Sequence, residues 1–219
     1  MKERPILFSA PMVRAILAGT KTQTRRILKP QPEAGANFFS VDVALNMAGE
    51  PSGLAAWFLD SNEGGLPPVF CPYGQPGDRL WVRETWLHID DDGDKFDGMG
   101  TQTYYRASSM NPERDDAYMK ERGLRWRPPI HMPRWASRIT LEIVGVRVER
   151  LQDISEADAM AEGVALHDDG KFTDYTSPTG YAGNAVSSYR SLWSSINGPG
   201  SWEANPWVWC IEFRRVTSD

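Results

Sequence analysis

Arg138-Ile139-Thr140-Leu141-Glu142-Ile143-Val144-Gly145-Val146-Arg147-Val148-Glu149-Arg150 is the longest strand signal in the chain. Ile139, Leu141 and Ile143 occupy one phase of a two-residue period, and Val144, Val146 and Val148 occupy the other. Side chains alternate between faces along a strand, so a change of phase within one run calls for an inserted residue. The change falls beside Gly145 and predicts a β-bulge, the device that bends strands into barrels. The segment therefore points to a β-barrel rather than a flat sheet.

Working outward, the signals alternate between strand and short helix. Ser155-Glu156-Ala157-Asp158 is a capping box, and its helix stops at Gly163. Tyr189, Leu192, Trp193 and Ile196 form an amphipathic helical stripe ended by Gly198. Trp207, Trp209, Ile211 and Phe213 alternate in a last strand. Toward the N-terminus, Pro5 to Phe8 is a short strand, Ser9 an N-cap and Pro11 a first-turn residue. Met12, Val13, Ile16 and Leu17 make that helix amphipathic, and Gly19 ends it. Lys21 to Leu28 and Arg79 to Trp86 read as strands, and Asn111-Pro112 opens a helix to Arg122. Residues 30–75, rich in Pro, Gly and Ala, read as a long insertion closed by the turn Tyr73 to Asp78. The fold class is α+β, in one domain covering residues 1–219.

Composition narrows the function. A hydrophobic fraction of 41% with nine tryptophans supplies a sizeable core in 219 residues. A chain of this length buries about 70% of its unfolded surface. Two cysteines, Cys71 and Cys210, cannot build a disulfide framework. The N-terminal residues show no signal peptide and no run reaches membrane-spanning length, so a soluble cytoplasmic protein is expected. A net charge of −5 argues against coating long nucleic acid by electrostatics alone. Local basic clusters remain at Arg25, Arg26 and Lys29, and at Arg122, Arg125, Arg127, Arg134 and Arg138.

The chemistry concentrates in Ala18-Gly19-Thr20-Lys21-Thr22-Gln23-Thr24-Arg25-Arg26. A lysine just after a helix-ending Gly-x, with a threonine three residues on, offers an amine and a hydroxyl near one turn. A hydroxyl needs such a base to attack a carbonyl. Arg25 and Arg26 would favour the neutral amine of Lys21 by like-charge repulsion. The same residues also describe a solvent-facing basic hairpin. The segment resembles the ASCH family signature Gly-x-Lys-x-x-x-x-Arg, and Gly19, Lys21, Thr22, Thr24 and Arg26 match small bacterial members that hydrolyse N4-acetylcytidine. Pro76 to Glu84 resembles the family's Gly-Asp strand entry, and Leu151 to Gly163 is similar to the helix bearing its catalytic glutamate, which falls on Glu162. Insertions near 30–75, 87–130 and 165–185 have no counterpart in the compact members.

The resemblance implies a PUA-like barrel with Lys21, Thr24 and Glu162 as the catalytic set and a cytosine-like base as ligand. Glu162 would stand in the last helical turn, at the negative end of the dipole, a setting suited to proton transfer. Gly19, Arg25, Arg26 and Trp135 are the candidate substrate-binding residues; Arg26 would steady a phosphate or pair with Glu162. The implied activity is removal of an acyl group from the exocyclic N4 of cytidine or a related nucleoside, without metal or cofactor. Asp90 to Asp94 lacks the first ligand of a calcium loop, and His88, His131 and His167 show no metal-ligand spacing. Arg125-Trp126-Arg127 and Arg134-Trp135 interleave cations with aromatic rings, a pattern that stacks bases or merely flanks core tryptophans. The competing function is a non-catalytic module binding RNA or a modified base, or an ASCH-type ribonuclease, since PUA-like folds often bind without chemistry.

Overall fold

The chain enters as β1 (Glu3–Leu7), crosses α1 (Ala10–Leu17) and returns as β2 (Gln23–Ile27). β3 (Asn37–Leu45), β4 (Pro51–Leu59) and the short β5 (Val69–Phe70) follow, then β6 (Arg79–Arg83), β7 (Trp86–Ile89), β8 (Gln102–Tyr105) and α2 (Pro112–Glu121). The last third runs β9 (Thr140–Arg150), α3 (Glu156–Ala161), β10 (Phe172–Thr173), β11 (Tyr181–Ala182), α4 (Ala185–Asn197) and β12 (Trp207–Val216). The structure, a computed structural model, describes residues 1–89, 101–177 and 179–216. The acidic run Asp90 to Asp94 lies outside the described residues.

The central sheet has the order β1-β6-β9-β12-β2, with β1 and β6 parallel and the other neighbours antiparallel. β12 lies inside it and is covered on both faces. Trp209, Ile211 and Phe213 enter one core with Val13 and Ile16 of α1, whereas Val208 and Cys210 enter a second core with Tyr189 and Trp193 of α4. The bulge expected beside Gly145 is present: Glu212 pairs with Gly145 and Phe213 with Ile143, so Val144 is the extra residue. A side chain at Gly145 would meet the Glu212 carboxylate at 2.9 Å.

The barrel does not close. β1 and β2 are the two edges of the sheet, with no ladder between them among the described residues. A side chain spans that gap instead, the Arg26 guanidinium donating to the Leu7 carbonyl at 2.7 Å. Residues 30–75 are largely ordered, forming an antiparallel three-stranded sheet β3-β4-β5. Phe38 packs against Phe58 at 5.7 Å and against Trp207 at 5.9 Å, which seats this sheet on the start of β12. Residues 165–185 carry the β10–β11 hairpin, and 87–130 carry β7, β8 and α2.

Candidate functional site

Among the described residues β2 pairs with β12 alone, which leaves its other edge free. Its alternation sends Arg25 and Ile27 toward α3 and α4, while Arg26 and Leu28 turn toward Phe8 and the α1 core. On the α3 face, register sets Arg25 beside Cys210 and Cys210 beside Arg147, a row across three strands. Two of these three are arginines in a partly buried setting, and the carboxylates of Glu149, Asp158 and Glu162 offset them. Arg25 contacts Glu149, Asp158 at 3.5 Å and Glu162 at 3.2 Å. Arg147 binds Asp158 at 2.9 Å and Glu149 at 3.1 Å.

Lys21 reaches this centre from the turn after α1. Gly19 has φ +77 there, a conformation that glycine adopts without steric cost. Lys21 then makes an isolated bridge with Glu162. Its Nζ donates to the Glu162 carbonyl at 2.7 Å and to Glu162 Oε2 at 2.9 Å. Phe8 lies 5.7 Å from the ammonium. Gly163, with φ +82, makes the approach possible, since a Cβ there would stand 2.9 Å from the Lys21 Cβ and 3.0 Å from that of Ala15.

These facts correct the picture of a solvent-facing basic hairpin, because Lys21, Thr24 and Arg25 are all buried. Glu162 stands at the end of α3, as expected, and is buried there, only 3% exposed, between two cations. Arg25 rather than Arg26 pairs with Glu162, because alternation turns Arg26 to the other face. Burial pulls the Lys21 amine below the ordinary lysine value; the Glu162 carboxylate opposes that and the Arg26 and Arg25 charges reinforce it. Like-charge repulsion therefore acts in the expected direction, but burial is the larger cause. Burial likewise pushes the Tyr189 hydroxyl far up, with Glu162 adding to it, so Tyr189 stays neutral.

Thr24 lines a cavity of about 80 Å³ at the free edge of β2, together with Glu162, Arg25, Arg26, Tyr189 and Met12. Its hydroxyl has no hydrogen-bond partner among the described residues, although Thr24 is buried. A buried hydroxyl normally finds a partner, so an unengaged one on a residue that lines a cavity is available for chemistry. Met12, Glu162, Leu192 and Ile196 also line a far larger apolar groove of about 920 Å³, whose opposite wall is Leu166, Phe172 and Tyr175 from the 165–185 segment.

Gly19 lines the groove rather than the small cavity. Trp135 is not brought to this site. It is 64% exposed, set edge-on to Trp86 at 5.8 Å and His88 at 4.8 Å, and borders neither the cavity nor the groove. Sequence reading missed Glu149, Asp158 and Tyr189 as the shell around Arg25 and Glu162. A usable signal was the 145, 147, 149 phase of β9, which puts Arg147 and Glu149 on the inner face once the bulge is counted. Among the described residues, no three His, Cys, Asp or Glu side chains group as metal ligands, and no helix is long and apolar enough to cross a membrane. No family model, curated protein or solved structure matches the chain.

Proposed function

We propose that this protein is an ASCH-type, PUA-like amidohydrolase that removes an acyl group from the exocyclic N4 of cytidine or a related nucleoside. One observation carries the reading. Lys21 and Glu162, 141 residues apart in sequence, meet at 2.9 Å, and Thr24, whose hydroxyl has no hydrogen-bond partner among the described residues, lines the cavity that Glu162 also lines.

In the proposed reaction, Thr24 Oγ1 attacks the acyl carbonyl while neutral Lys21 accepts its proton. Collapse of the tetrahedral adduct breaks the C–N4 bond. The proton passes from Lys21 to the leaving N4, giving free cytidine and an acyl-threonine ester. Water then attacks the ester, giving one proton to the Lys21–Glu162 pair; the C–Oγ1 bond breaks, the pair returns that proton to Thr24 Oγ1, and the carboxylic acid departs with both residues restored. Burial suits Lys21 to this role, since it holds the amine closer to its neutral form. Glu162 holds the amine in place and shares its proton, and Arg25 fixes Glu162 through its other oxygen. The reading needs no cofactor and places the protein in the cytoplasm, with a nucleoside, a modified base or RNA as partner.

The test is ultraviolet-monitored incubation with N4-acetylcytidine, with Thr24→Ala and Lys21→Ala as controls. Conversion to cytidine by wild type alone is expected. The rival, a non-catalytic RNA- or base-binding module or a ribonuclease, draws on the exposed Trp135 near Arg127 and Arg134. Absence of turnover together with tight RNA binding would favour it.

A further inference from the structure

We propose that a second cleft beside the reactive cavity is a phosphate subsite, so that the preferred substrate is a phosphorylated N4-acylcytidine rather than the bare nucleoside. The proposal rests on the amidohydrolase reading for the identity of the base. The cleft, of about 440 Å³, adjoins the cavity and shares Arg26, Ile27 and Asn197 with it. Its size falls within the roughly 300–1,000 Å³ of small-molecule sites.

Its lining contains two cations, Arg26 and Lys29, and no carboxylate. The contrast with the neighbouring site is sharp. Arg25, the next residue, contacts three carboxylates, and Arg4, Arg138 and Arg147 are also ion-paired. Arg26 and Lys29 have no acidic partner among the described residues. One Arg26 nitrogen, Nη2, is spent on the Leu7 carbonyl, which holds the guanidinium across the barrel gap above Phe8 at 5.2 Å. Its Nε has no partner. A guanidinium fixed at one corner with donors to spare is preorganised for a phosphate oxygen, and an exposed lysine adds a second charge.

The remaining walls suit the rest of a nucleotide. Phe70 and Tyr73, from the end of the 30–75 segment, line the cleft, and the half-exposed Phe70 ring offers a surface for a pentose or a neighbouring base. Burial raises the Tyr73 hydroxyl pKa although Arg26 opposes it, which keeps the phenol protonated and able to donate. A base in the cavity with its sugar directed past Arg26 would thus leave its phosphate at Arg26 and Lys29. The phosphate can belong to a free nucleotide or to an RNA strand; the chemistry of the subsite is the same.

The deciding experiment compares kcat/KM for N4-acetylcytidine, its 5′- and 3′-monophosphates, and a single-stranded trinucleotide with N4-acetylcytidine in the middle. Wild type, Lys29→Ala and Lys29→Glu are used. At least one phosphorylated substrate should exceed the nucleoside by roughly tenfold to a hundredfold, the worth of one charge-assisted hydrogen bond, mainly through KM. Lys29→Ala should remove most of that gain and Lys29→Glu should reverse it, with the nucleoside rate unchanged in both. A gain for a monophosphate identifies a free nucleotide, and a gain for the trinucleotide alone identifies RNA. Equal or poorer kcat/KM for every phosphorylated substrate overturns the subsite and leaves the reaction standing. If no compound is turned over, the amidohydrolase reading fails. Calorimetric titration of cytidine 5′-monophosphate against cytidine then decides the subsite, and it is overturned if Lys29→Ala leaves their relative affinity unchanged.

Discussion

Replacing Glu162 with Gln keeps the shape of the side chain and removes the charge between Lys21 and Arg25. Breaking a buried ion pair by removing one partner costs about 3–5 kcal/mol. The two cations do not share that loss equally. Arg25 keeps Glu149 and Asp158, whereas Lys21 keeps only the neutral carbonyl of residue 162 at 2.7 Å. Lys21 also has a way out that Arg25 lacks, because it can lose its proton. Its pKa already lies below the ordinary 10.5 through burial, with Glu162 as the main opposing influence, so the Gln variant should drive it lower still. A lysine with a depressed folded pKa takes up a proton on unfolding, so stability rises with pH between its folded value and 10.5. The destabilisation should therefore be near the lower limit, about 3 kcal/mol at neutral pH, and should shrink toward about pH 9.5. Urea denaturation at both pH values measures this for wild type, Glu162→Gln, Lys21→Met and the double variant. The cycle should show strong coupling at neutral pH and weaker coupling at high pH. Turnover of N4-acetylcytidine by the Gln variant should fall by about 10²–10⁴-fold. A neutral-pH loss within about 0.5 kcal/mol, or one equally large at both pH values, would refute the buried-pair argument.

Thr24→Val should abolish turnover while leaving the denaturation midpoint at or above that of wild type, since the hydroxyl it removes has no partner to lose; retained activity would remove Thr24 from the mechanism. Gly163→Ala should cost about 1–3 kcal/mol through its left-handed backbone and the close Lys21 Cβ, and should lower activity together with stability. The 920 Å³ groove that shares Glu162 with the cavity gives room for longer acyl groups, so rates on acetyl-, butyryl- and benzoyl-cytidine should fall little with size; a steep fall would mean the groove serves something else. Prolonged chelator treatment should leave activity unchanged, and loss restored by zinc would reveal a metal site.

Features set by local rules were legible in the sequence. The phase change beside Gly145 located the bulge to within one residue, and Ser155 caps α3 by accepting from the Asp158 N–H. Asn111 caps α2 in the same manner, and Gly198 ends α4. What was not legible depends on distant partners. Lys21 reads as polar and therefore exposed, yet Glu162 and Phe8 bury it. Which of Arg25 and Arg26 faces Glu162 is fixed only by the register of β2 on β12. The 30–75 segment hides its strands in a Pro-, Gly- and Ala-rich composition, and its order comes from Phe38 and Phe58 against Trp207, far along the chain. The bulge was readable, but whether the sheet closes depends on two edges that no local signal compares.

The place of β2 in the sheet has a consequence for biosynthesis. Its one ladder partner among the described residues is β12, and the glutamate that holds Lys21 lies 141 residues downstream. During translation the strand carrying Thr24 and Arg25, with Lys21 just before it, has no ladder partner among the described residues until β12 (Trp207–Val216) has left the ribosome. Until then its charges stay hydrated, and the centre that buries them does not exist. Assembly of the reactive residues thus waits for β12, and a nascent or shortened chain ending before Trp207 would lack the scaffold on which they meet.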